Sequence, residues 1–568
     1  MGRPEYGSDL IVELLRAFNI DYVALNPGSS FRGLHDSIVN YGGNERPELI
    51  QVCHEEVAVA IAHGYAKAKG RPMAVILHDV VGLQHASMAI FNAWCDRVPI
   101  MILGGTGPMD ITRRRPWIDW VHTALVQGNL IRDFVKWDDQ PASIAAFPDS
   151  FIRGYRIATT EPKGPVYICF DAEHQEARLE EIPPVDISRY PSPSPIQAEE
   201  GALKRAVELL IGAERPVLIA EYTGRNPSAC PHLIELAELL AIPVIDLGGE
   251  HAGRFNFPNT HPLDLTGAEE LLAECDLILA LDVQDLYGAL SKAPSAKVID
   301  ISLRDLGIRS WAADYQRLPE VDLRIIADTS VALSALVKIA REMGRGPKQG
   351  RWEAIENRHE ELLRRFKEEA RRRWDETPIS LPRLAQEVWE AVRGKDWCLA
   401  HGGLNGWVRR LWEIKEPYQF LGGSGGGGLG YGLGASIGAA LAHRGEGKLI
   451  IDLQPDGDLL YTPSALWTAA HHQLPILIVV FNNRSYYNDE VHQELMAKVR
   501  GRPVERKGIG IRLEEPPVDF TSLARGFGLY GEGPIEKPEE LAPALRRALK
   551  VIKEEGKAAL IDVIAQLR

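Results

Sequence analysis

Residues 449–458 read LIIDLQPDGD, and residues 476–485 read ILIVVFNNRS. Each stretch begins as an apolar run typical of a buried strand and ends in a polar turn. A helical segment separates them, so both turns are expected at the carboxyl ends of parallel strands, where open α/β sheets bind ligands. The side chains of Asp456 and Asn483 and the Ser485 carbonyl would supply oxygen ligands there, and such ligands select Mg²⁺. The sequence therefore predicts an α/β sheet with a magnesium site at its edge.

The alternation of short apolar runs with helical segments extends along the whole chain. It predicts an α/β protein with three doubly wound parallel-sheet domains, at residues 1–182, 196–342 and 378–568. A proline-rich stretch, 182–195, predicts an extended linker, and the highly charged stretch 351–375 predicts a solvated helix before the third domain. The first and third domains share their order of elements, which predicts a duplicated architecture with an unrelated domain inserted between the copies.

The bulk composition narrows the class of protein. The formal net charge of −14 argues against a nucleic-acid partner. Six cysteines form no CxxC pair, so a zinc or thiol-redox site has little support, and buried thiols in a reducing compartment are expected. No signal-peptide pattern is visible and no apolar run reaches the roughly 18 residues of a membrane span. We therefore expect a cytoplasmic protein without a membrane segment.

The paired acidic and Asn-Asn turns resemble the signature of thiamine diphosphate (ThDP) enzymes, an acidic Gly-Asp-Gly turn followed at this spacing by Asn-Asn. The resemblance implies ThDP and Mg²⁺ as cofactors, with Asp456, Gly457, Asp458 and Asn483 at the cofactor. The chain departs from the family at Pro455, which stands in place of the first glycine. Proline has no N–H, so any phosphate contact from that amide is absent.

A glycine-rich run at residues 422–430 reads GGSGGGGLG. Alone it is a weak signal for dinucleotide binding, which also needs a preceding strand and a distal acid. In ThDP enzymes the matching segment lies against the aminopyrimidine ring of the cofactor. The resemblance implies that the Gly427 carbonyl accepts a hydrogen bond from that ring and that Leu429 holds the cofactor in a bent shape.

Residues 52–58 read VCHEEVA and carry the acid that ThDP chemistry needs beside the aminopyrimidine. Glu55 matches the family glutamate in its His-Glu setting. A carboxyl group in an apolar pocket has a raised pKa, so a raised pKa is expected for Glu55. Glu56 is the alternative, and it is expected to face solvent or an interface.

Three further stretches resemble benzoylformate decarboxylases: LNPGS at 25–29, LHDVVG at 77–82 and FPNTHP at 257–262. The resemblance covers nearly the whole chain in order. It implies that Ser29 binds the substrate carboxylate and that His78 and His261 move protons. The ordinary alternatives are a turn serine at Ser29 and a loop histidine at His261. Another histidine, His85, is expected to be structural or exposed.

The arginine stretch 113–115 is unlike the benzoylformate decarboxylase pattern, although it falls where related enzymes place substrate-facing residues. Its side chains could bind a carboxylate or phosphate, or form a solvated or intersubunit surface. Both interpretations remain open.

Ser29, His78 and His261 together favour non-oxidative decarboxylation of a small-molecule 2-oxo acid. The alternative is an acetolactate synthase-like carboligase that joins the donor to a second carbonyl compound, such as an aldehyde acceptor, or an acyloin lyase that joins or cleaves 2-hydroxy ketones. The glutamine-containing segment expected for acetolactate synthases is replaced by GGTG at 104–107, which disfavours that alternative.

A third hypothesis is a non-catalytic ThDP- or nucleotide-binding protein. It is disfavoured because both Glu55 and Asp456 are present. Some relatives carry FAD or ADP in the central domain, and no pattern here supports either. The family also implies a homodimer or homotetramer with its sites at the subunit interface, between the first domain of one subunit and the third of another.

Overall fold

The computed structural model describes residues 3–183, 186–249, 254–268, 270–291, 295–307, 317–344, 346 and 348–567. Three sheets organise these residues, and every strand pair in them is parallel. Helices cover the sheets, so most strands are buried on both faces and read as continuous apolar runs. The predicted fold class is confirmed.

The first sheet has six strands in the order β2-β1-β3-β4-β6-β5. Its strands are β1 (Tyr22–Leu25), β2 (Glu48–Gln51), β3 (Ala74–Leu77), β4 (Met101–Thr106), β5 (Trp137–Asp139) and β6 (Val166–Asp171). Its helices are α1 (Gly7–Ala17), α2 (Arg32–Asp36), α3 (Glu55–Lys69), α4 (Asp79–Cys95), α5 (Ile118–Val121), α6 (Phe147–Thr159) and α7 (Ala172–Glu176).

The central sheet has five strands in the order β11-β10-β9-β7-β8. Its strands are β7 (Pro216–Ala220), β8 (Val244–Asp246), β9 (Leu277–Leu281), β10 (Lys297–Ser302) and β11 (Leu323–Ile326). Its helices are α8 (Glu200–Gly212), α9 (Ala229–Leu240), α10 (Glu270–Glu274), α11 (Leu286–Leu290), α12 (Arg304–Gly307) and α13 (Thr329–Met343).

A long charged helix, α14 (Arg351–Arg371), connects the central and third domains, as the charge pattern predicts. One of its faces is buried, and Ile355, Leu362 and Phe366 on that face pack into the core of the central domain. The amphipathic spacing of these residues explains why so charged a segment forms a stable helix.

The third sheet has the order β12-β13-β14-β16-β15. Its strands are β12 (Trp397–His401), β13 (Leu449–Pro455), β14 (Ile476–Asn482), β15 (Tyr530–Ile535) and β16 (Ala559–Ile564). Its helices are α15 (Leu381–Val392), α16 (Trp407–Leu411), α17 (Gly432–Ala442), α18 (Asp456–Leu459), α19 (Ala465–His471), α20 (Tyr487–Val499), α21 (Phe520–Gly526) and α22 (Pro538–Glu555). The order repeats that of β1-β3-β4-β6-β5, which confirms the duplicated architecture; β2 is the additional edge strand of the first copy.

Helices α3 and α17 pack face to face through residues without bulky side chains and join the first domain to the third. A Cβ on Gly64 would overlap the backbone of Ala435, and one on Gly434 would lie 2.6 Å from the Ala60 Cβ. Lys67 of α3 also donates to the Gly423 carbonyl at 2.7 Å. The close approach therefore fixes the glycine-rich run of the third domain beside the helices of the first.

Among the described residues, no helix has both the length and the apolar content that a membrane span would need.

Candidate active site

Three chemically important side chains lie at one edge of the first sheet. Asn26 directly follows β1, Glu55 begins the helix after β2, and His78 directly follows β3. Because β1 lies between β2 and β3, the carboxyl ends of these strands are adjacent. The topology therefore brings together residues that are far apart in sequence.

Glu55 is only 4% exposed and is held by hydrogen bonds at both carboxylate oxygens. Asn26 donates to Oε1 at 2.9 Å, and the Nδ1 of His85 lies 3.1 Å from Oε2. The helix begins here because His54 caps it, accepting the Glu56 N–H at 3.2 Å. His85 is exposed, as the sequence analysis expects, and its Nδ1 also contacts the carboxylate of Glu55.

The pKa of Glu55 differs from the sequence-based expectation. Burial works to raise it, but hydrogen bonds from Asn26, the backbone and His85, together with the charge of His85, outweigh burial and leave the pKa below its ordinary value. The expectation of a raised pKa is wrong for this arrangement, because hydrogen bonds to the carboxylate favour its ionised form.

His78 is partly buried and contacted on both ring nitrogens. Its Nδ1 lies 3.0 Å from the Ser30 hydroxyl, and its Nε2 lies 3.3 Å from Nδ1 of His122. Burial lowers the pKa of His78, and the nearby His122 lowers it further, while the charge of Glu55 opposes both. Ser30 and His122 are therefore members of the site that the motifs did not reveal.

Ser29 lies beside this cluster and contacts an arginine instead of His78. Arg115 donates to the Ser29 hydroxyl at 3.3 Å and to Asp119 Oδ1 at 2.6 Å. Arg113, in contrast, pairs with Glu173 at the surface. Of the two arginines, Arg115 therefore reaches the site, and the substrate-binding role of Ser29 stays a prediction.

His261 lies elsewhere within this chain. Its Nε2 is 3.2 Å from Glu238, and its Nδ1 accepts the Leu263 N–H at 3.1 Å. Its ring packs edge-on against Phe257 and Trp352. Within a single chain, His261 thus contacts residues of the central domain and of α14 and does not contact His78. Its catalytic role stays a prediction.

The second half of the site lies at the carboxyl edge of the third sheet. Asp456 begins α18 directly after β13, and its Oδ1 accepts the Gly457 N–H at 2.9 Å. Its Oδ2 is buried and has no hydrogen-bond partner among the described residues. Burial raises the pKa of Asp456 to about 6, although nearby backbone N–H groups oppose the shift. A buried carboxylate oxygen without a partner is suited to a cation.

Asn483 directly follows β14, the strand beside β13, so its side chain reaches the same edge as Asp456. Its Oδ1 accepts the Ser485 N–H at 2.9 Å and keeps a second lone pair. This bond fixes the turn that carries the Ser485 carbonyl. The residues present therefore fit a Mg²⁺ site.

The glycine-rich run is anchored on both sides of Leu429. Gly428 and Asn92 of α4 exchange two hydrogen bonds of 3.1 Å, and Gly430 donates to Asp458 at 2.7 Å. Gly427 has a φ of +65°, a conformation that favours glycine. Asp458 thus holds this run in place, while cofactor contacts by Gly427, Leu429, Gly457 and Asp458 stay predictions.

Gly28 packs directly against the catalytic histidine candidate. A Cβ at this position would overlap Cβ and Cγ of His78. We expect Gly28→Ala to displace the imidazole and to reduce turnover by at least about tenfold, since misplacing a catalytic group by 1 Å costs up to about 100-fold. Steady-state kinetics check this, with Gly212→Ala, where a Cβ meets nothing, as the matched control. Equal turnover in both variants would contradict the placement of His78.

Comparison with known proteins agrees with this geometry. Family models of thiamine pyrophosphate (thiamine diphosphate) enzymes match the N-terminal TPP-binding domain at residues 6–127, the central domain at 203–336 and the C-terminal TPP-binding domain at 400–563. The chain is 26% identical to benzoylformate decarboxylase of Pseudomonas aeruginosa, over 94% of this chain and 96% of that protein. It is 24% identical to the acetolactate synthase large subunit of Haemophilus influenzae, over 98% of this chain and 94% of that protein.

Solved structures share the fold. Benzoylformate decarboxylase from Polynucleobacter necessarius has a TM-score of 0.78 at 20% identity, covering 100% of this chain and 99% of that one. The 4-hydroxybenzoylformate decarboxylase of Rhodococcus jostii has a TM-score of 0.77 at 21% identity, covering 99% of both. Because all three domains are matched in order, the chain belongs to the thiamine diphosphate enzyme family.

Proposed function

We propose that this enzyme catalyses the ThDP- and Mg²⁺-dependent, non-oxidative decarboxylation of a 2-oxo acid. The observation that carries the proposal is the half-buried imidazole of His78 at the same sheet edge as Glu55. Bound ThDP supplies the electron sink that allows the carboxylate to leave as CO₂. The remaining carbon must take up one proton to leave as an aldehyde, and His78 is a group that can provide it.

The other residues have separate roles in this proposal. Asp456, Asn483 and the Ser485 carbonyl hold Mg²⁺, which in turn binds the diphosphate. Glu55 takes the place beside the aminopyrimidine, where its ionised form accepts a hydrogen bond. Ser29 binds the substrate carboxylate through its hydroxyl, which Arg115 holds in place while pairing with Asp119.

We also propose that the site is completed by a second copy of the chain, in a homodimer or homotetramer. Beside Arg115 and His122 lies a run of exposed apolar side chains, including Trp117 at 68%, Trp120 at 68% and Leu125 at 81% exposure. A cluster of large apolar side chains left exposed in one chain is typical of a protein interface. A partner packed there would bring its third domain to the edge that carries Glu55.

A carboligase of the acetolactate synthase type is the second candidate, and an acyloin lyase would use the same chemistry in reverse. It is supported by the acetolactate synthase of Haemophilus influenzae, whose identity to this chain is close to that of the benzoylformate decarboxylase. A carboligase passes the donor carbon to the carbonyl of an acceptor, either an aldehyde or a second 2-oxo acid, and needs no proton at the donor carbon. The products therefore separate the two candidates.

The test is an NMR analysis of products from pyruvate, a branched-chain 2-oxo acid and benzoylformate, each with and without an aldehyde acceptor. We expect the free aldehyde as the main product even when the acceptor is present, because His78 protonates the carbon first. A coupled hydroxyketone as the main product would favour the carboligase. Cleavage of an added hydroxyketone without CO₂ release would favour the lyase.

A further inference from the structure

The last turn of α4, in the first domain, binds the backbone of the glycine-rich run at residues 422–430. Asn92 exchanges two hydrogen bonds of 3.1 Å with the N–H and the carbonyl of Gly428. Asp96, which directly follows α4, accepts the N–H of Gly425 through its Oδ1 at 2.8 Å. Two side chains one helical turn apart therefore hold the run at two positions that are three residues apart.

These contacts explain why the run is made of glycines. A Cβ on Gly425 would lie 2.5 Å from Asp96 Oδ1, and a Cβ on Gly426 would lie 2.4 Å from Asn92 Oδ1. Gly427 differs, because a Cβ placed there would meet no atom within 4 Å among the described residues beyond its chain neighbours. The run thus leaves open space at Gly427, the residue whose carbonyl is predicted to bind the aminopyrimidine ring.

Asp96 is itself held by buried groups from two other parts of the chain. Its Oδ2 lies 2.9 Å from His63 Nε2 and 3.5 Å from Lys67 Nζ, both on α3. The hydroxyl of Tyr222, in the central domain, donates to its Oδ1 at 3.3 Å. All four side chains are buried, and Lys67 also donates to the Gly423 carbonyl at 2.7 Å. The first and central domains therefore both support the contact with the run.

The surroundings of Asp96 keep it ionised. Burial works to raise its pKa, but the charge of Lys67 and the hydrogen bond with His63 outweigh burial and hold the pKa below its ordinary value. Hydrogen bonds to an ionised acceptor are stronger than those between neutral groups. The bond from the Gly425 N–H is therefore one of the stronger contacts of the run.

We propose that Asn92 and Asp96 are positioning residues that hold the glycine-rich run in the shape that receives the aminopyrimidine ring of ThDP. The inference rests on the proposed function, because it takes the run as part of the ThDP site. Glycine has the greatest backbone freedom of all residues, so an unsupported run of this composition would adopt many shapes. The two side chains act through the backbone on either side of Gly427. The alternative is that their bonds only join the first domain to the third.

The decisive variant is Asn92→Leu, which has nearly the size of the parent side chain but forms no hydrogen bonds with Gly428. In the holoenzyme at saturating ThDP and Mg²⁺, we expect hydrogen–deuterium exchange at C2 of ThDP to slow by about 10–100-fold. The reason is that misplacing a reacting group by 1 Å costs up to about 100-fold. Bonds that only join the domains would affect thermal stability and leave this exchange rate unchanged.

Asn259→Leu is the matched control. Asn259 is also buried and also exchanges hydrogen bonds with the backbone of the third domain, at Trp412 and Ile414, which lie outside the run. Its variant should keep the C2 exchange rate within about twofold of the parent, because the run stays in place. Asn92→Ser is a second test variant, whose side chain is too short to reach Gly428 and leaves room for water.

Amide hydrogen exchange of the full chain without cofactor gives an independent readout. We expect exchange to become about two- to tenfold faster at Gly428 in Asn92→Leu, the factor that one hydrogen bond contributes. Asp96→Asn, which keeps the shape of the side chain but not its charge, should have the same effect at Gly425. Asn259→Leu should leave the exchange of the run unchanged.

Two results would overturn the inference. One is a parent-like rate of C2 exchange in both Asn92 variants, and the other is an equal loss in Asn259→Leu. Neither measurement needs a 2-oxo acid. A parent that exchanges C2 but releases no CO₂ would therefore refute the proposed decarboxylation alone, whereas a parent that binds no ThDP would refute both.

Discussion

Replacing Glu55 with glutamine is expected to slow hydrogen–deuterium exchange at C2 of bound ThDP by about 10²–10⁴-fold, the range for loss of general acid–base assistance. The glutamine amide keeps the size of the side chain but cannot exchange the proton with the aminopyrimidine ring. ThDP binding should change by less than about tenfold, because one hydrogen bond to a neutral group contributes about 1 kcal/mol.

Rapid-quench NMR of the holoenzyme measures this exchange without any substrate. Glu56→Gln is the matched control, since Glu56 is the next residue of the same helix. Burial and the charge of Asp458 raise its pKa to about 7, and its carboxylate faces the Gly430 backbone of the third domain. A larger loss in Glu56→Gln than in Glu55→Gln would move the catalytic role to Glu56.

Replacing Asp456 with asparagine is expected to weaken Mg²⁺-dependent ThDP binding by at least about 100-fold. Even mutation of a residue that only hydrogen-bonds to a metal ligand lowers metal affinity by about 10–100-fold. The physical reason is the unpaired Oδ2, which the negative charge of the carboxylate offers to a cation. An asparagine has the same shape but carries no charge.

Isothermal titration calorimetry with ThDP at fixed Mg²⁺ checks this expectation. Asp562→Asn is the matched control, because Asp562 is also buried in the third sheet but accepts a hydrogen bond from Asn482 at 3.1 Å. Its variant should bind ThDP within about threefold of the parent, a difference of under 1 kcal/mol. Parent-like binding by Asp456→Asn would rule out Asp456 as the main metal ligand.

Much of the architecture could be predicted from local sequence patterns. Apolar runs that end in polar turns mark the carboxyl ends of strands, so Asp456 and Asn483 could be assigned to one sheet edge before any contact was known. The same reasoning assigned Glu55 to a helix start. The repeated order of helices and strands also predicted the duplication. Crossover connections between parallel strands are nearly always right-handed, so two segments with the same order of elements are expected to form sheets with the same strand order.

The contacts that tune the site could not be predicted in this way. His85 bonds to Glu55 and His122 contacts His78 across long stretches of sequence, and no local pattern connects them. The lowered pKa of Glu55 follows from its hydrogen bonds with Asn26 and His85. An expectation based on burial alone therefore gave the wrong direction for the pKa shift. The motif predicted a role for Ser29, whereas it is the neighbouring Ser30 that contacts His78. Side chains of adjacent residues in a tight turn point in different directions.

The most direct test of the account is time-resolved CO₂ release by the purified protein with ThDP and Mg²⁺. Pyruvate, a branched-chain 2-oxo acid and benzoylformate would be supplied in turn to the parent and to Glu55→Gln. The account predicts release from at least one of them that requires ThDP and falls by at least about 100-fold in the variant. Release at equal rates in both proteins, or no release from the ThDP-loaded parent with any of the three, would contradict it.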